Sequence, residues 1–275
     1  MTEQTINNYE NLTFSDNFMF GKVMEDKSRC RRVLECLFGQ PVGELYEVEN
    51  ERRMLQTSDG KMIRLDIYTK TENALFDIEM QNLNNKKPES LELPKRSRFY
   101  QSEIDVNFLN MKSSYKELPE NNVVFICTFD PFGRGEPVYI FENKSNENPP
   151  QALRDGTKKY FFNCTYERED IPEELVHFYR FVRTGVAEDL LTNELKKAVE
   201  ENNMNYIYRS EYLRQRLLLE DAKEEGIEQG IKQEQVHTEE QRLRAEAAEA
   251  RVKEAEARVK ELREELEKML KKPAE

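Results

Sequence analysis

The sequence predicts a mixed α/β (α+β) domain, with a central mixed sheet flanked by helices, followed by a long C-terminal helix or coiled coil. Three observations carry that reading. Two adjoining runs, MIRLDIYTK and NALFDIEMQ, alternate apolar and polar residues at the period of a strand. Helical spacing of apolar residues lies on both sides of the strand-like segments, and the final segment keeps a seven-residue apolar repeat.

The elements follow in chain order. SDNFMFGKVMEDKSRCRRVLECLFG offers Ser15 or Asp16 as an N-cap and Gly39 as a stop, and is expected to form one or two helices with an interruption around Glu25 to Ser28. VGELYEVENERRML reads as an entering strand, and Ser58 to Gly60 as a turn. In the two alternating runs, joined by a turn at TEN, Ile63, Leu65 and Ile67 are expected on one face and Arg64, Asp66 and Tyr68 on the other. Leu75, Asp77, Glu79 and Gln81 share a face of the second run.

NLNNKKPESLELPK reads as a connection into a helix starting near Lys95, in which Phe99, Ile104, Phe108 and Met111 recur at helical intervals. VVFICTFDPF, PVYIFENK and KKYFFNCTY are strand candidates, with turns at Gly133, Gly135 and Gly156. Helices return with ELVHFYRFV and EDLLTNELKKAVEENN around a break at Gly185. The expected organisation is a flexible N-terminus at 1–11, a domain at 12–200, a helical extension at 201–235 and a charged helix at 236–272.

In that last helix Ala245, Val252, Val259 and Leu266 occupy one seam position, and Ala248, Ala255, Leu262 and Met269 the other. This fits a coiled coil, as a homodimer or with another helical partner; an isolated exposed helix is the alternative. In a parallel pair Arg251 would face Glu256, but Arg258 would meet Arg263, so the flanking charges leave the orientation open.

Composition excludes several classes. The 275 residues are 35% charged, with a mean hydropathy of -0.86, and no apolar run reaches the roughly 18 residues of a membrane span. The N-terminus lacks the basic and apolar segments of a secretory signal, so a cytoplasmic location is expected. Cys30, Cys36, Cys127 and Cys164 form no C-x-x-C pair, and only His177 and His237 are present, so buried free thiols are expected rather than a zinc centre. The net charge is -12, of which residues 201 to 275 carry -4 (19 acidic, 15 basic). Any nucleic-acid contact therefore needs a local basic patch.

Asp66 and Glu79 lie 13 residues apart, a separation that a two-stranded hairpin can close. Paired carboxylates on neighbouring strands suit a hard, oxygen-preferring ion such as Mg²⁺ or Mn²⁺. Spacing alone serves equally well for two acids on the wet side of a hairpin.

The combination of a leading helix, D-I at Asp66, DIEMQ and KRSRFYQSEID resembles the PD-(D/E)xK nuclease superfamily, particularly the bacterial transposase-like, recombination-promoting nuclease family. The likeness continues through VVFICTFDPFG, PVYIFENK and DGTKKYFFN. It implies a restriction-endonuclease-like core and a metal-dependent DNA endonuclease that hydrolyses phosphodiester bonds, linked to mobile elements or recombination. By this resemblance Asp66 and Glu79 bind Mg²⁺ or Mn²⁺, the Met80 backbone carbonyl is a further ligand, and Gln81 stands where the signature has lysine. Glu35 is a candidate accessory acid, in competition with Glu25.

A neutral amide cannot offset charge as an ammonium does, so the Gln81 site calls for another cation. Lys95, Arg96 and Arg98, with Lys86 and Lys87 before them, are the nearest in sequence; Arg96 and Tyr100, four apart, can share a helix face. Tyr100 and Gln101 join Lys95, Arg96 and Arg98 as candidate phosphate contacts on DNA. An ordinary charged helix surface is the competing reading of that cluster. The rival to a nuclease is an inactive nuclease-like scaffold that acts through its C-terminal coiled coil, and RNA is a second candidate substrate.

Overall fold

A computed structural model of the protein describes residues 9–54, 63–82, 92–109 and 114–270, with side chains left out at 53, 54, 63 and 265–270. The expected turn at Ser58 to Gly60, the cations Lys86 and Lys87, Met111, and the side chains of Leu266 and Met269 lie outside the described residues. The first compact unit runs to Tyr212, and the second is Leu213–Glu275.

The N-terminal segment forms two helices, α1 (Asn17–Met24) and α2 (Lys27–Phe38). Asp26 separates them by accepting the Arg29 backbone N–H at 3.0 Å, which restarts the chain as a new helix. Gly39 closes α2 in the left-handed region at φ 64°, where its missing Cβ avoids strain.

The sheet contains β1 (Glu47–Met54), β2 (Ile63–Lys70), β3 (Ala74–Gln81), β4 (Glu120–Cys127), β5 (Val138–Phe141) and β6 (Thr157–Asn163), in the order β1-β2-β3-β4-β6-β5. It is mixed: β1 to β3 are antiparallel neighbours, β3–β4 and β4–β6 are parallel, and β5 returns antiparallel on β6. The expected TEN turn joins β2 to β3, with Thr71 N–H donating to the Ala74 carbonyl at 2.8 Å. Gly133, Gly135 and Gly156 all lie at positive φ, as turns require.

Helix α3 (Leu93–Leu109) covers one sheet face, where Leu93, Tyr100 and Ile104 pack on Leu75, Val123 and Phe125. On the opposite face α1, α2, α4 (Glu173–Thr184) and α5 (Leu190–Asn203) bury Ile67, Ile78, Met80, Val124 and Ile126. Each large apolar side chain removed from water there contributes about 1.5–3 kcal/mol before entropy is counted. The result is a mixed α/β fold with a central sheet flanked by helices, followed in the chain by one long helix, α6 (Tyr206–Leu270).

Two sequence expectations change. The β2–β3 hairpin has no wet side, because β3 is a central strand buried along its whole length after Ala74. The face pattern of β2 also breaks: Leu65 packs in the cluster of Tyr68, while Ile67 packs in the opposite one. The cause is local. The β1–β2 ladder pairs Asn50 with Ile67 and Arg52 with Leu65 but omits Glu51 and Asp66, and Glu51 sits at φ 54°.

Candidate functional site

Asp66 lies at that break, where the β2–β3 ladder also stops, its last pair being Ile67 with Ile78. Its backbone N–H donates to Glu79 Oε1 at 2.9 Å instead of to a strand. In return its Oδ2 accepts the Met80 backbone N–H at 3.2 Å. The opening in the ladder thus lets two carboxylates from neighbouring strands interlock, which closes the 13-residue separation read from the sequence.

The remaining contacts come from β3 and α3. Gln81 Nε2 donates to Glu79 Oε2 at 3.3 Å, and Gln81 Oε1 accepts from Arg96 Nη1 at 3.0 Å. Arg96 Nη2 lies 3.4 Å from Glu79 Oε2 and donates to the Tyr100 hydroxyl at 2.9 Å. The i, i+4 spacing of Arg96 and Tyr100 on α3 is what turns both toward β3.

The site is acidic and almost dry. Asp66 is 9% exposed, Glu79 2%, Gln81 5% and Asp77 0%, so solvent screens these charges little. Burial pushes the Asp66 carboxyl up to about 6, against the Met80 N–H and the nearby arginines, which favour its charge. Burial and the neighbouring acids hold Glu79 and Asp77 well above the usual carboxylate range. For Arg96, burial opposes the charge, yet Tyr100, Glu79 and Asp66 outweigh it and raise its pKa.

Asp77 is the residue that sequence reading placed on this face without assigning it a part. Neither of its carboxylate oxygens has a donor, and Glu79 could link to it only by sharing a proton. The parity of Asp77 with Glu79 was the available signal. A buried, partnerless acid is costly and marks a place that favours positive charge.

Other expected residues are arranged differently. Lys95 and Arg98 are exposed on α3 and make no ion pair among the described residues. Gln101 is buried and its amide donates to the Asn121 and Lys158 carbonyls, each at 3.1 Å, so it fastens α3 to β4 and β6 rather than facing a phosphate. Glu35 is not brought to Asp66 and Glu79: it sits on α2, which packs against the other sheet face, and pairs with Arg31 at 3.9 Å. Its competitor Glu25 accepts from Asn50 Nδ2 at 2.8 Å and pairs with Lys22 at 3.3 Å. His177, on α4, lies 3.4 Å from Asp189 and takes no part in the site.

Residues 14–138 match the family described as PD-(D/E)XK nuclease family transposase. Over these residues, a little under half of its length, the chain is similar to the PD-(D/E)XK nuclease superfamily. The matched segment includes Asp66, Glu79, Gln81 and Arg96, together with α1 to α3 and β1 to β4. No curated protein and no solved structure matches the chain at a significant level.

The donor set decides how a metal would fit. Among the described residues no group of three or more His, Cys, Asp or Glu could hold a metal ion. Two carboxylates remain, Asp66 and Glu79, buried beside the orphaned acid Asp77 and with raised pKa values. A pair of carboxylates is the protein donor set Mg²⁺ commonly takes, so in number and type this smaller set fits it. No helix among the described residues is long and apolar enough to cross a membrane.

Proposed function

We propose that the protein is a metal-dependent DNA endonuclease with a restriction-endonuclease-like core, of the recombination-promoting type. The supporting observation is the interlock of Asp66 and Glu79 where the β2–β3 ladder opens. Asp66, Glu79 and the Met80 carbonyl would hold Mg²⁺ or Mn²⁺. When bound, the ion would activate the attacking water and offset charge on the phosphodiester.

The chain's own residues do the rest. The Met80 N–H fixes the Asp66 carboxylate, and the Asp66 N–H orients Glu79. Gln81 orients Glu79 by its amide, while Lys95 and Arg98, exposed on α3, neutralise flanking backbone phosphates. Water would attack in line, its oxygen bonding to phosphorus as the bond to the leaving sugar oxygen breaks, and that oxygen would take a proton from solvent, leaving the strand nicked.

A second reading has its own observation. Both Glu79 oxygens are already occupied within the protein, and Val252, Val259 and Leu262 on α6 are each half-exposed along the heptad seam. On this reading the fold is an inactive scaffold, and the seam takes a second copy or another helix.

Plasmid nicking with Mg²⁺ and with Mn²⁺, on wild type, Asp66→Ala and Glu79→Ala, separates the two. The nuclease reading expects nicking by wild type and loss in both folded variants. No cleavage by wild type with either ion, or equal cleavage by all three, overturns it. Cleavage of RNA in preference to DNA would reassign the substrate.

A further inference from the structure

The signature lysine is absent, yet a cation reaches the site from another element. We infer that Arg96, delivered by α3, supplies the positive charge for phosphate that position 81 supplies in the signature, and that Gln81 is the residue this arrangement requires. The inference rests on the endonuclease reading above and goes beyond it by giving Arg96 contact with the scissile phosphate and Gln81 the part of a positioning residue.

The geometry argues this from hydrogen-bond capacity. Gln81 bridges two groups of opposite sign, accepting from Arg96 Nη1 at 3.0 Å and donating to Glu79 Oε2 at 3.3 Å. Only a side chain with both an acceptor and a donor can do this. Lysine has three donors and no acceptor, so at position 81 it would remove one of the anchors of Arg96 and set a second cation beside it. Glutamine here is therefore matched to Arg96 and need not signal a lost site.

Arg96 is also held as a catalytic cation should be. Its guanidinium is fixed at three points, by Gln81, by Glu79 at 3.4 Å and by the Tyr100 hydroxyl at 2.9 Å. The side chain is one-third exposed, so part of the planar fork stays open to a phosphate arriving from solvent. Lys95 and Arg98 lack any such anchoring among the described residues. They can neutralise a backbone, but nothing aims them at the Asp66–Glu79 pair.

The test is a charge-relocation cycle on the full chain: wild type, Arg96→Gln, Gln81→Lys and the double variant Arg96→Gln/Gln81→Lys. Single-turnover plasmid nicking is measured alongside DNA affinity with Ca²⁺ and Mg²⁺ affinity by calorimetry without DNA. Arg96→Gln is expected to slow nicking by about 100- to 1,000-fold, the usual effect of removing one charge-stabilising donor, while DNA affinity changes by less than about threefold. The double variant is expected to recover at least about tenfold, because the ammonium then comes from position 81 without competition. Mg²⁺ should bind Arg96→Gln more tightly than wild type, since a cation beside Glu79 is gone, and the double variant should reverse that gain.

If Arg96→Gln does not fold, as judged by its melt, Arg96→Lys replaces it and should nick at an intermediate rate. Wild-type nicking that persists undiminished in Arg96→Gln or Arg96→Lys overturns the inference alone. So does a double variant no faster than Arg96→Gln. Absence of nicking by wild type overturns the endonuclease reading, and the inference with it.

Discussion

Replacing Asp66 by Asn should stabilise the ion-free protein, and increasingly so as pH rises. Asp66 is 9% exposed, and burial raises its carboxyl from 3.8 to about 6. Well below pH 3.8 the group is protonated in both folded and unfolded chains and has no effect. Between 3.8 and about 6 the folded chain retains the proton while the unfolded chain loses it, so stability falls with rising pH. Above about 6 the full cost is present, and at 1.36 kcal/mol per pKa unit it is about 3 kcal/mol.

Asn keeps an oxygen for the Met80 N–H and never ionises. The stability difference between Asp66→Asn and wild type should therefore grow by about 2 kcal/mol between about pH 4.5 and about pH 7.5. Urea titrations in EDTA across that range measure it. Saturating Mg²⁺ should shrink the difference, because an ion that binds only the folded wild type stabilises it by mass action. A difference that does not vary with pH, or a variant less stable than wild type at the upper end, would refute the reasoning.

Three further outcomes follow from other parts of the molecule. Gly39→Ala places a Cβ at φ 64° with no neighbour to clash with, so its cost should be purely conformational, about 1 kcal/mol by urea midpoint; an unchanged midpoint rejects that account. Lys95→Ala and Arg98→Ala should each lower the slope of log DNA affinity against log salt by about 0.9, and an unchanged slope removes both from the phosphate interface. A chain ending at Gln235 should keep the melting transition of the folded unit and lose self-association on sedimentation; an unchanged oligomeric mass would sink the assembly role of the heptad seam.

Local chemistry explains what was legible in the sequence. The TEN turn and the stop at Gly39 depend on neighbours in the chain and could be read directly, while for Asp66 and Glu79 spacing gave only that one hairpin could bring them together. The interruption near Glu25 resolved into two helices because Asp26 caps the second. The break at Asp66 could not be read, since it arises from Glu79 taking a backbone N–H that parity assigns to a ladder.

The same limit separates the cations. Lys95, Arg96 and Arg98 are equivalent as a charge run, and only the path of α3 across β3 turns one of them inward. The placement of Glu35 was hidden for a related reason: its helix packs on the sheet face opposite to Glu79, and a face assignment needs the tertiary fold. Gln101 looked polar enough for phosphate, but the strand carbonyls of Asn121 and Lys158 claim its amide.

The four cysteines offer a way to watch the domain open. All are buried, and burial pushes every thiol upward, so none is nucleophilic while the fold is closed. Cys127 lies in the cluster under α3, whereas Cys30, Cys36 and Cys164 lie in the cluster on the other side of the sheet. A thiol-reactive dye therefore reports two halves of one core separately. Equal labelling rates mean that the halves open as a single cooperative unit, while faster labelling of Cys127 means that α3 lifts from the sheet alone.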